Sequence, residues 1–147
     1  MIEIREAGAE DVAAILEVYR AAGLERGAAF TVEEAQSQLA SFRAYPNYRV
    51  FVAQRGGAIA GTYSLLIMDN LAKRGLRSGV AEAVAVMPGH QGKGIGRAMM
   101  QHAMEQCRAA GCYKLALSSN SKRAGAHEFY EAIGFERHGY SFVVPLE

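Results

Sequence analysis

The run Val84-Ala85-Val86-Met87-Pro88-Gly89-His90-Gln91-Gly92-Lys93-Gly94-Ile95-Gly96-Arg97 sets a strand, a glycine-rich loop and a helix start end to end. Only a fold that delivers a strand directly into a helix can use such a run, which points to a mixed α/β architecture. The glycines let the backbone approach a ligand closely. Unpaired N–H groups in the first helical turn, together with the positive end of the helix dipole, suit phosphate oxygens. Lys93 and Arg97 add positive charge there. The same letters also serve a purely structural turn, so the loop alone leaves both readings open.

Two well-known phosphate loops fail against these residues. A Walker A loop needs Gly where the chain has Met87, and Ser or Thr where it has Gly94. A dinucleotide fingerprint starting at Gly92 needs Gly at the position of Arg97, and an acid about 20 residues on, near Cys112.

Around the loop, Ile2 and Ile4 alternate as a short first strand, and Val12, Ile15, Leu16, Val18 and Tyr19 form a helical stripe within Asp11 to Ala22. Thr31 with Glu34 is a capping box that opens a second helix running toward Ala44. Two β-rich runs, Tyr48 to Gln54 and Ala58 to Met68, are joined by Gly56-Gly57 as a hairpin. A basic loop from Asp69 to Gly79 precedes a fourth strand, Val80 to Val86, in which every residue except Glu82 is Ala or Val; that composition predicts burial on both faces. Ile95, Met99, Ala103, Cys107 and Ala110 mark one face of the next helix, which Gly111 ends. Tyr113 to Leu117 reads as a fifth strand, Arg123 to Ile133 as a fourth helix, and Phe135 to Leu146 as one or two final strands.

The chain of 147 residues is expected to form one domain, 1–147, with no linker or repeat. Sixteen basic and fifteen acidic residues leave a charge of +1, so no global field recruits nucleic acid or an anionic membrane. The N-terminus shows no secretory pattern and no apolar stretch long enough to span a bilayer, so the expected location is cytoplasmic. Cys107 and Cys112 have neither CxxC nor zinc spacing, and no His, Cys and acid cluster suggests a metal.

Gln91, Gly94 and Gly96 match the Gln/Arg-x-x-Gly-x-Gly/Ala loop of the GCN5-related N-acetyltransferase (GNAT) superfamily, which this chain resembles. The segment Phe129-Tyr130-Glu131-Ala132-Ile133-Gly134-Phe135 is similar to the family's Phe-Tyr-x-x-x-Gly-Phe, and Asn120 stands where the family has Asn after its fifth strand. With the order of elements, the resemblance covers essentially the whole chain. It implies the GNAT fold: a mixed, mostly antiparallel sheet, flanked by about four helices, whose fourth and fifth strands splay to admit acetyl-CoA. It further implies that Val84, Ala85 and Val86 pair with the pantetheine arm. Gln91, Gly92, Lys93, Gly94, Ile95, Gly96 and Arg97 would hold the pyrophosphate, and Asn120 and Tyr130 would lie along the arm.

The implied activity is transfer of acetyl from acetyl-CoA to a primary amine by direct attack through a tetrahedral intermediate. Tyr130 is then the expected acid for the leaving thiolate, against the plainer reading of a core aromatic. Glu82 is the candidate base, because a carboxylate buried in an apolar strand needs a partner or a task; its plainer reading is a solvated strand residue. His90 and His127 read as surface or packing residues. Gly111-Cys112-Tyr113-Lys114, with Glu82, is similar to glucosamine-phosphate acetyltransferases, which favours a small-molecule amine. A protein or peptide amine, or a noncatalytic acyl-CoA-binding sensor, are the alternatives. Homodimers are common in such folds, although no motif here sets one.

Overall fold

The structure, a computed structural model, describes residues 1–25, 29–118 and 124–146. They divide into two units, Met1–Ala116 and Leu117–Glu147. The first contains β1 (Ile2–Glu6), α1 (Val12–Ala21), α2 (Val32–Ser41), β2 (Tyr48–Arg55), β3 (Ala58–Met68), β4 (Arg77–Val86), α3 (Ile95–Ala109) and β5 (Cys112–Ala116). The second contains α4 (Ala124–Ala132). The strands run in the order β1-β2-β3-β4-β5, antiparallel throughout except for the parallel pair β4 and β5. This is the mixed, mostly antiparallel sheet with four helices that the family resemblance implies.

Local signals explain most boundaries. Thr31 accepts from the Glu34 amide at 3.2 Å while Glu34 accepts from the Thr31 amide at 2.8 Å, the reciprocal box that starts α2. Before α1, Asp11 takes both guanidinium nitrogens of Arg5 at 2.7 Å and the Gly8 amide at 2.8 Å, tying β1 to the helix start. Its hydrogen bonds to Arg5 hold the Asp11 carboxyl below the usual carboxylate range, against the opposing effect of burial.

Each face of the first unit's sheet carries a helix layer. Ile15 of α1 packs with Val50 and Val52 of β2, and Tyr19, Leu39 and Phe42 close that cluster. On the other face lie Phe51, Tyr63, Leu65 and Ala81, opposite Ile95, Met99, Ala103 and Cys107 of α3. The approach there is close: a Cβ at Gly79 would collide with the Cys107 sulfur, and one at Gly61 with Ile95. Tyr63, stacked on Phe51, bonds His102 Nδ1 at 2.7 Å, so a buried phenol finds its partner on α3.

Two expectations change. β4 is buried at Ser78, Gly79, Ala81 and Ala85 but exposed at Arg77 and Glu82, so it is not covered on both faces. An Ala/Val run reports low side-chain cost rather than a neighbour on each side. The expected final strands are likewise absent: no residue of 135–146 is in a strand, and Tyr140, Phe142, Val143, Val144 and Leu146 are exposed. Alternating apolar residues make a strand only where a ladder accepts them, and none does among the described residues.

Candidate functional site

β4 is ten residues long, yet β5 accompanies it only from Arg77 to Val80, where the parallel register ends at Val80↔Ala116. Among the described residues, Ala81–Val86 therefore carry no strand partner on that side, while β3 pairs their other edge. A strand with one edge satisfied and one open has backbone donors and acceptors to offer an extended ligand. Val84, Ala85 and Val86 lie on this open stretch.

A bulge interrupts the same stretch. Ser64 faces Glu82 and Thr62 faces Ala85, so Ala83 and Val84 together oppose Tyr63. Ala83 adopts φ of +51°, a left-handed conformation that costs a residue bearing a Cβ ~1–2 kcal/mol. The strain falls where the strand re-aims its backbone.

β4 then runs through a 3₁₀ turn, Pro88–His90, into the loop before α3. Gly94 occupies the N-cap position with φ of +84°, a conformation that glycine adopts without the Cβ penalty. No side chain caps this end, and the first helical bond runs from the Ala98 amide to the Gly94 carbonyl. The amides of Ile95, Gly96 and Arg97 are thus without intrahelical partners at the positive end of a fifteen-residue helix. Gln91, Gly92, Lys93 and Arg97 are exposed around it, and no atom comes within 4 Å of where a Cβ on Gly92 would stand. Such an open, amide-lined, basic helix end accommodates a diphosphate. In the adjoining turn, the His90 Nδ1 atom is enclosed without a hydrogen-bond partner among the described residues.

Glu82 is exposed, so burial does not explain its presence in an Ala/Val strand. Its cross-strand neighbour Ser64 is buried.

Tyr130 belongs to α4 of the second unit, where its ring meets Phe129 and Phe135 edge-on at 5.3 and 5.7 Å. The Phe135 amide bonds the Tyr130 carbonyl at 3.0 Å, and Gly134 supplies the positive φ for that turn. Asn120 lies outside the described residues. A cavity of about 620 Å³ is found elsewhere, between α2 and the start of β2, at the end of the sheet away from the α3 loop. It is lined by Leu39, Phe42, Arg43, Tyr45 and Tyr48 among others, and none of the expected site residues borders it. No helix among the described residues is long and apolar enough to cross a membrane. No group of three or more His, Cys, Asp or Glu among them could hold a metal ion.

A family model described as the acetyltransferase (GNAT) family matches residues 12–135. The chain belongs to that family. The GNAT chain is 38% identical over 90 residues to a glucosamine 6-phosphate N-acetyltransferase of Trypanosoma brucei brucei, a match covering 61% of this chain and 59% of that protein. It therefore spans less than two thirds of that relative's length. It is 30% identical over 138 residues to the L-amino acid N-acyltransferase MnaT of Escherichia coli (strain K12), covering 91% of this chain and 79% of that protein. Among solved structures, a Trypanosoma brucei acetyltransferase superposes with a TM-score of 0.85 at 28% identity, covering 99% of this chain and all of that one. The GNAT family is one of acyltransferases, and both sequence relatives carry N-acyltransferase names.

Proposed function

We propose that this chain transfers an acetyl group from acetyl-CoA to the primary amine of a small molecule. The observation that carries the reading is the half-open β4: a strand edge, Ala81–Val86, with no strand partner among the described residues leads directly into the amide-lined start of α3. A donor that is an extended amide-bearing arm ending in a diphosphate matches both parts in that order. Val84, Ala85 and Val86 would pair with the arm. Gln91, Gly92, Lys93, Gly94, Ile95, Gly96 and Arg97 would hold the pyrophosphate through backbone amides and two cations. The family resemblance assigns Asn120 and Tyr130 to the remainder of the arm.

The chemistry asks three things of the protein. An alkylamine has a pKa of about 10 and must lose a proton before it attacks; Glu82, directly or through water, is the proposed base. The oxyanion formed on attack takes a backbone N–H from the bulged stretch near Val84. The departing thiolate takes a proton from Tyr130, the role that the family segment implies. Support for a small acceptor comes from the relatives, whose names specify glucosamine 6-phosphate and L-amino acids.

Of the basic residues in the turn leading into β4, Arg77 is paired with Asp69 at 2.9 Å, while Lys73 and Arg74 are exposed.

The test is thiol release from acetyl-CoA with amino sugars, amino-sugar phosphates, amino acids, polyamines, aminoglycosides and peptides, alongside calorimetry of acetyl-CoA. Binding with turnover of a small amine is the expected result. Turnover of peptides alone moves the acceptor to proteins, and tight binding without any turnover leaves an acceptor outside the panel or the sensor reading.

A further inference from the structure

The cavity of about 620 Å³ at the far end of the sheet takes its walls from three parts of the first unit: the end of β1 with the turn after it, the second half of α2, and the connection from α2 into β2. A space of this size suits a small molecule. Its walls are tied together in the absence of a guest. Gln36 Nε2 of α2 donates to the Ala9 carbonyl at 3.1 Å, the Tyr45 amide to the Phe42 carbonyl at 3.0 Å, and the Ile67 amide of β3 to the Asn47 carbonyl at 2.9 Å. A preformed space binds without first having to order its walls.

Two properties of the lining define the guest. The first is aromatic: Phe42 and Tyr48 stack with centroids 4.3 Å apart and 13° between their planes, and Tyr45 meets Tyr48 edge-on at 5.5 Å. Phe42 and Tyr48 are half-buried, whereas Tyr45 is exposed, so its ring has surface left to cover. Flat rings favour a flat apolar partner. The second property is charge. Glu6 and Arg49 border the cavity and offset one another at 4.0 Å. Arg43 borders it with no carboxylate partner among the described residues, which leaves one positive charge in excess. A planar guanidinium takes a carboxylate through two parallel hydrogen bonds, and it repels an aromatic cation.

We propose that this cavity is a binding site for an aromatic carboxylate, with the ring against Tyr45 and the carboxylate on Arg43. It is separate from the β4 edge and the start of α3, and it stands whether or not the acyl-transfer reading does.

The experiment is an amide NMR titration of the isotope-labelled chain with indole-3-acetate, 3-methylindole, acetate and tryptamine, which vary the ring and the charge separately. Indole-3-acetate should shift the amides of Arg43, Tyr45, Asn47 and Tyr48 saturably, and saturating acetyl-CoA should not displace it. It should bind at least about tenfold more tightly than each of the other three, since each lacks the ring or the carboxylate. Arg43→Gln should erase its advantage over 3-methylindole, and Tyr45→Ala should weaken it about fivefold. Both side chains are exposed, and the amide spectrum of each variant reports whether the fold is kept. Absence of saturable shifts in wild type, shifts confined to the start of α3, equal or tighter binding of tryptamine, or an unchanged affinity in a folded Arg43→Gln chain each overturn the proposal.

Discussion

Asp11 shows how one side chain can hold an element in place. Its carboxylate is almost fully buried and joins Arg5 of β1 to the turn before α1. Asp11→Ala should lower unfolding free energy by about 2 kcal/mol in urea denaturation, the usual loss for hydrogen bonds to a charged group. Because the folded state lowers this pKa, the contribution is complete above the ordinary aspartate value of ~3.9 and is lost as pH falls through the folded value. The variant should therefore show a shallower fall in stability than wild type below about pH 4; parallel curves would remove Asp11 from the acid response. Other residues were legible only in part. Glu82 is conspicuous in an Ala/Val run, yet its exposure depends on what covers its face of the sheet, which no local pattern records.

Among elements, the packing of α3 on the sheet is set by absent side chains as much as by present ones. Cys107 sits where Gly79 leaves room, and burial, the main cause, pushes its thiol up to about 12, so it behaves as an inert packing group. Gly79→Ala should cost about 1–3 kcal/mol by overpacking. Gly79→Ala/Cys107→Ala should be less destabilised than the sum of the two single variants, because the second truncation vacates the contested space. Strict additivity would show that the glycine answers to something other than the sulfur. The helical stripe of α3 and the hairpin at Gly56-Gly57 could be read in advance, since periodicity and turn residues are local. The bulge at Ala83 could not, because alanine gives no hint of a positive φ. The same limit applies to Tyr140–Leu146, whose alternation is real but whose ladder partner is a property of the fold.

At the scale of the molecule, strand order, helix placement and family membership agree with one another and with the glycine-rich loop. The loop's letters left anion site and structural turn equally open. Three features of the first unit favour a ligand: the uncapped start of α3, the open space at Gly92 and the unpartnered edge of β4. All bear on one claim, that the strand edge holds the donor's arm and the helix start holds its diphosphate. The most direct test is calorimetric titration of the wild-type chain with acetyl-CoA and with S-acetylpantetheine, which retains the arm and thioester but lacks the diphosphate. Acetyl-CoA should bind at least about a hundredfold more tightly, ~2.7 kcal/mol, as expected for two charge-assisted hydrogen bonds at the helix start. Equal affinities for the two would contradict the account, because the start of α3 would then contribute nothing to donor binding.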